Sequence, residues 1–165
     1  MERLWAPWRL QYVTQEKHEG GCIFCDKPLL GDDRAAFIVR RGKSAYVILN
    51  AFPYNNGHIM VAPFAHISAL EELPPETIHE MMDLAQQCAR VFKASFSPDG
   101  LNLGFNLGSA AGAGIKDHLH LHIVPRWAGD TNFMPVVADV RVIPQSLDRT
   151  YEQLAEGFAK LDGAG

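Results

Sequence analysis

Three histidines alternate with apolar residues in His118-Leu119-His120-Leu121-His122-Ile123-Val124-Pro125-Arg126. Side chains on an extended chain alternate faces with period two. The three imidazoles therefore share one face of a strand, and Leu119, Leu121 and Ile123 share the other. Four of the seven histidines lie elsewhere, and packing alone gives no reason to align three groups that titrate near neutrality. An imidazole is a competent nucleophile at pH 7 when its other nitrogen is held as N–H. Phosphoryl and nucleotidyl transfer needs an in-line attacker and donors around the non-bridging oxygens. His120, flanked by two others, is the candidate nucleophile. Lys116 and Arg126 bracket the run and offer positive charge to an anionic substrate.

A second pattern is Cys22-Ile23-Phe24-Cys25. A C-x-x-C pair in a chain with three cysteines fits a reducing compartment, and a metal or redox role better than a disulfide framework.

The elements that must position these groups follow from periodicity. Residues 35–40 and 45–49 read as consecutive strands, and His58–Ala62 as a third, ended by Pro63. Pro74-Pro75 opens a helix whose apolar face is Ile78, Met81, Met82, Ala85, Cys88, Ala89 and Phe92. A turn at Pro98-Asp99-Gly100 leads to a fourth strand, Leu101 to Leu107. A Gly/Ala-rich loop, Gly108 to Gly114, then enters the histidine strand. The tail from Asp130 reads as irregular until Leu147, where a short C-terminal helix is expected. These elements predict an α+β fold: an antiparallel sheet of about five strands with one main helix. At 165 residues the chain fits one domain, with an arm over 1–21 (Trp5, Pro7, Trp8), a core over 22–126 and an extension over 127–165. Cys88 is expected in the core.

A formal charge of -4 argues against broad binding to nucleic acid. No apolar stretch is long enough to span a membrane and the first residues lack the form of a signal peptide, so a cytoplasmic location without a membrane partner is expected.

The histidine run resembles the signature of the histidine triad superfamily of nucleotide hydrolases and transferases. Asn50, Gly57-His58-Ile59-Met60-Val61-Ala62-Pro63 and Asn106 match that family in order and spacing. Arg3-Leu4-Trp5-Ala6-Pro7-Trp8 and Pro125-Arg126-Trp127-Ala128-Gly129-Asp130-Thr131-Asn132-Phe133-Met134-Pro135 resemble a bacterial branch that includes diadenosine tetraphosphate phosphorylases. The resemblance implies that His120 attacks the α-phosphorus of a nucleotide substrate to form a nucleotidyl-histidine, released by water or phosphate. It implies that His122 donates to a phosphate or bridging oxygen, and that His58 orients a triad imidazole. Asn50 would bind ribose hydroxyls and Asn106 phosphate. Ile23, Phe24 and Leu49 would sandwich the base, and backbone N–H groups near Gly112 and Gly114, with Lys116, would meet phosphate. Trp127 would stack on a second base or pack on a dimer partner. Where many members carry glutamine and serine or threonine before the triad, this chain has Gly112-Ala113-Gly114-Ile115-Lys116-Asp117. Members pair as homodimers through the helix and an edge strand; a tetramer is also open.

Related nucleotidyltransferases of this superfamily bind zinc through two cysteines, a histidine downstream of the equivalent of His58 and the first triad histidine. On that pattern Cys22, Cys25, His66 and His118 hold a structural zinc with no open position. No organic cofactor is expected.

The leading expectation is an enzyme cleaving dinucleoside polyphosphates. Alternatives are a nucleoside phosphoramidate or adenylate hydrolase of the hint type, a nucleotide-binding sensor without turnover, and a metallohydrolase with three histidines on zinc.

Overall fold

The computed structural model describes residues 21–130 and 143–163. The aromatic arm and the Thr131–Pro135 part of the extension lie outside them. Two short helices, α1 (Ile23–Asp26) and α2 (Asp33–Ala36), precede the first strand, β1 (Ile38–Arg41). The residue pattern predicts that strand from residue 35. Instead the Asp32 carboxylate accepts the Ala35 N–H at 3.0 Å and caps a helical turn that ends at Phe37, φ 60°. An N-cap side chain satisfies an orphan N–H and so favours the turn over extension. The remaining strands are β2 (Ala45–Leu49), β3 (Ile59–Pro63), β4 (Gly100–Phe105) and β5 (Leu121–Arg126).

All five form one antiparallel sheet in the order β1-β2-β3-β5-β4. The expected α+β fold of about five strands is thus the fold observed. Two details differ. Strand β4 ends at Phe105, and regular pairing of the histidine run begins at Leu121. His118 to His120 lie outside the ladder, with the chain bending at His118, and are anchored by the Leu119 N–H on the Ile67 carbonyl at 2.7 Å.

Alternation divides the sheet into two cores. Val47, Leu49, Ile59, Val61, Leu119, Leu121 and Ile123 face the main helix, α3 (Pro75–Ser95), meeting Met81, Leu84, Ala85, Cys88 and Phe92. The opposite face gathers Phe24, Ala36, Ile38, Tyr46, Ile48, Met60 and Ala62. Each large side chain removed from water this way contributes about 1.5–3 kcal/mol, and the register is fixed because a one-residue slip would send each set to the opposite core, whose shape it does not fit.

The C-terminal helix is longer than expected: α4 (Leu147–Gly163) has 17 residues and packs Leu154 and Phe158 into the first core. A Cβ on Gly157 would lie 2.5 Å from Val91 Cγ1 and 2.9 Å from Ser95 Oγ, so glycine is what lets α4 approach α3. The β1–β2 turn is held from α3 as well. Glu80 accepts the N–H of Lys43 at 2.6 Å and of Ser44 at 2.5 Å, together with the Ser44 hydroxyl. No helix among the described residues is long and apolar enough to cross a membrane.

Candidate active site and metal centre

The three triad histidines lie on the sheet face opposite α3, with His118, His120 and His122 only 1%, 6% and 8% exposed. Met60 is paired with His122 across the β3–β5 ladder, and His58, at the entry to β3, is 2% exposed on the same side. The face is polar at one end and apolar at the other.

Backbone groups with a single hydrogen-bonding role assign the protons. A carbonyl only accepts, so the His120 Nδ1 that meets the His118 carbonyl at 2.8 Å carries a hydrogen. Its Nε2 therefore holds the lone pair. A backbone N–H only donates, so the His58 Nδ1 lying 3.0 Å from the Tyr54 nitrogen is an acceptor. His58 Nε2 must then be the N–H, and it donates to His122 Nδ1 at 2.9 Å. That leaves the hydrogen of His122 on Nε2. The Asn106 amide lies 3.4 Å from this Nε2–H, which calls for the amide orientation that presents oxygen. Neighbouring imidazoles thus offer opposite chemistry, a lone pair on His120 and an N–H on His122, with ring centroids 4.7 Å apart.

Burial holds all three triad imidazoles below the usual histidine range. His122 is pushed down to about 4, first by burial and then by the neighbouring His120. All three are neutral at pH 7, as the proton assignment requires.

The fourth group of the same face is a cluster of metal ligands. Ligand atoms of Cys22, Cys25, His66 and His118 lie within 4.8 Å of one another. His118 Nε2 donates to the Pro63 carbonyl at 2.9 Å, which frees Nδ1 as a ligand. That Nδ1 is 3.3 Å from Cys22 Sγ and 3.6 Å from Cys25 Sγ, and His66 Nδ1 is 3.3 Å from Cys25 Sγ. A tetrahedron around zinc, with bonds of about 2.0–2.3 Å, has edges of about 3.3–3.8 Å. The donor set and spacing fit that ion. Burial, then the adjacent Cys22, pushes the Cys25 thiol up to about 11, so a pair of thiolates here calls for a cation.

Other expected site residues are placed as follows. Phe24 is fully buried, its ring centroid 4.7 Å from that of His120; it supports the imidazole from beneath and offers no open face. Ile23 is 39% exposed beside it. Leu49 does not join them. It points into the α3 core, and by alternation Ile48 takes the histidine face with Phe24. Asn50 has both ends of its amide engaged, Oδ1 by the Phe52 N–H at 2.9 Å and Nδ2 by His58 Nδ1 at 3.3 Å. Gly112, at φ +88°, closes the turn after Ser109–Ala111, while Gly114 needs glycine neither for space nor for φ. Ile115 packs this loop against the Phe24 core, and Lys116 is exposed on it. Arg126 is already engaged with Asp130 and Asn102, so its charge is compensated rather than presented to a substrate. Trp127 is half-buried and donates its backbone N–H to Asp130 at 3.1 Å.

Sequence reasoning missed Tyr54, Asn55, Asp130 and Ile48. Parity along β2 signals Ile48, since Asn50 and Ile48 share a face. Tyr54 acts through its backbone N–H, which has no signature in side-chain type.

Comparisons with known proteins bear on the family and the fold. The HIT domain model matches residues 33–129. The AP-4-A phosphorylase of Mycobacterium tuberculosis (strain H37Rv) is 39% identical over 168 residues, covering 97% of this chain and 86% of that protein. A Zn-bound histidine triad family protein from Mycobacterium smegmatis has a crystal structure that superposes with a TM-score of 0.71. It is 30% identical, covering 88% of this chain and 98% of that one. A hypothetical histidine triad nucleotide-binding protein from Sulfolobus tokodaii superposes with a TM-score of 0.68 at 25% identity, over 86% of this chain and 94% of the other. The family model spans the sheet, α3 and the triad, and the phosphorylase aligns along nearly the whole chain. By sequence and by fold, the chain belongs to the HIT domain family.

Proposed function

We propose that this chain cleaves dinucleoside polyphosphates, of which diadenosine tetraphosphate is the model substrate, through a nucleotidyl-histidine on His120. The observation that carries the reading is the pairing of a His120 Nε2 lone pair, set by the His118 carbonyl, with a His122 Nε2–H, set by Tyr54 and His58. Attack by His120 Nε2 on an α-phosphorus forms the N–P bond and breaks the bond to the bridging oxygen. His122 Nε2–H stabilises the charge that grows on a phosphate or bridging oxygen. Inorganic phosphate then attacks the same phosphorus, breaks the N–P bond and returns His120 to its starting form, giving ATP and ADP in all. With water as acceptor the products are ATP and AMP. Asn50 Oδ1 keeps a second lone pair for a ribose hydroxyl, Ile23 and Ile48 border the base, and Asn106 with loop N–H groups near Gly112 and Gly114 meets phosphate. Cys22, Cys25, His66 and His118 hold a zinc ion whose contribution is a crosslink joining α1 and its N-cap residue to the loop after β3 and to the histidine run.

The test is the product profile from diadenosine tetraphosphate with and without inorganic phosphate, using His120→Ala as control. The expected result is ATP plus ADP only with phosphate, abolished in the control. Unchanged turnover in His120→Ala would overturn the assignment of the nucleophile.

In the same reading the chain is one domain in the cytoplasm and works as a homodimer through α3 and β4. The support for pairing is the edge strand β4, whose Leu103 is 47% exposed, and Met82 on α3 at 45%. Among the described residues β4 has a neighbour on one side only, and such an edge is a liability unless covered. A monomeric mass by sedimentation would overturn the dimer.

A further inference from the structure

The Asp130 carboxylate joins three segments, and its side chain is 8% exposed. Oδ2 accepts Arg126 Nε–H at 2.7 Å, Asn55 Nδ2–H at 2.6 Å and the Trp127 N–H at 3.1 Å; Oδ1 accepts from Arg126 Nη2 at 2.8 Å. The chain reaches this point through a turn closed by the Asp130 N–H on the Trp127 carbonyl at 3.0 Å, with Gly129 at φ +79°. Arg126 is itself held to β4 by the Asn102 side chain at 2.9 Å. A shielded carboxylate with this many donors, two of them from one guanidinium, is a fixed point of the fold.

Asn55 carries that fixity to the histidines. Its Nδ2 also donates to the Pro125 carbonyl at 3.0 Å, so the loop before β3 is clamped twice to the end of β5. The Asn55 carbonyl accepts the His58 N–H at 3.2 Å, and the preceding residue, Tyr54, supplies the shorter of two donors on His58 Nδ1, its N–H at 3.0 Å against Asn50 Nδ2 at 3.3 Å. His122 is carried by β5 itself. Both partners of the His58–His122 hydrogen bond are therefore referenced to one strand, His122 through the ladder and His58 through Asn55 and Asp130.

We propose that Asp130 is a positioning residue for the reaction: by clamping Asn55 it keeps the Tyr54 N–H on His58 Nδ1, and so keeps His122 in the tautomer that presents Nε2–H. The inference rests on the reading above that His122 acts at the phosphate. A hydrogen bond weakens steeply with misalignment, and a shift of about 1 Å away from the reacting atoms costs up to about 100-fold in rate.

The test uses the full chain with Asp130→Asn and Asn55→Ala, each alone and in a His58→Ala background. Kinetics on diadenosine tetraphosphate are read together with histidine tautomers by nitrogen-15 NMR. The expected single-variant result is a kcat about tenfold lower or more, with KM within about threefold, and a mixture of tautomers at His122. In the His58→Ala background the added substitution should change kcat by less than about twofold, because the clamp acts through His58. Equal losses in both backgrounds, or unaltered tautomers at His58 and His122, would overturn the proposal. Asn55→Ala removes no charge and carries the test where Asp130→Asn does not fold. Should His120→Ala retain turnover, the reaction reading fails, while the tautomer spectra still decide the role of Asp130.

Discussion

Replacing His122 with asparagine should make the protein less sensitive to acid. The Asn Oδ1 can stand where Nδ1 stands and accept the His58 Nε2–H, but it never titrates. In the native chain burial, followed by His120, lowers the His122 imidazole from 6.5 to about 4. The unfolded chain then binds a proton that the folded one refuses, so this contribution to stability is full above about pH 6.5 and is lost as the pH falls toward 4. At about 1.4 kcal/mol per pH unit the whole contribution is about 3 kcal/mol, and about 2 kcal/mol of it is gone by pH 5. Urea unfolding of the zinc-loaded protein at pH 7 and pH 5 measures it, with His122→Asn as the reference. Every other group is common to the two chains and cancels in the difference. The native chain should lose about 2 kcal/mol more than the variant on acidification. An equal or smaller loss would refute the claim that a buried neutral His122 is held at this position. The same neutrality places the acid limb of kcat/KM below the ordinary imidazole range.

Two further outcomes follow from particular contacts. Gly157→Ala should lower the thermal midpoint, because a Cβ there meets Val91 Cγ1 at 2.5 Å: overpacking costs about 1–3 kcal/mol against a helix-propensity gain of about 1 kcal/mol, and a higher midpoint would refute it. Cys22→Ala should reduce zinc content, measured by plasma mass spectrometry, from about one ion per chain to well below it. It should lower thermal stability too, whereas full zinc occupancy in the variant would remove Cys22 from the ligand set.

Much of this protein is legible in its residues, since period-two and period-3.6 patterns record which faces are buried. The alternation of His118, His120 and His122 with Leu119, Leu121 and Ile123 marks one polar and one apolar face, and both faces are found. Strand β2 and the start of α3 sit where valine, isoleucine and the two prolines put them. Reading runs out where a short-range cap competes with extension, as Asp32 does before β1. It runs out again at the end of the chain, where Gly157 signals a close helix crossing only once α3 is known to lie beside it.

The site divides the same way. Residue types and order determine that imidazoles, two thiols and a C-x-x-C spacing are available, because those are properties of side chains along one chain. Tertiary structure decides which nitrogen of each imidazole carries the hydrogen. The Pro63 carbonyl, the His118 carbonyl and the Tyr54 N–H make that choice, and every residue but proline carries both kinds of backbone group. It also decides that Arg126 belongs to Asp130, that Leu49 faces away from the histidines, and that Cys22 and Cys25 meet His66 and His118 across 41 to 96 residues of chain. Those outcomes depend on distances between segments remote in sequence, and only the packed sheet sets them.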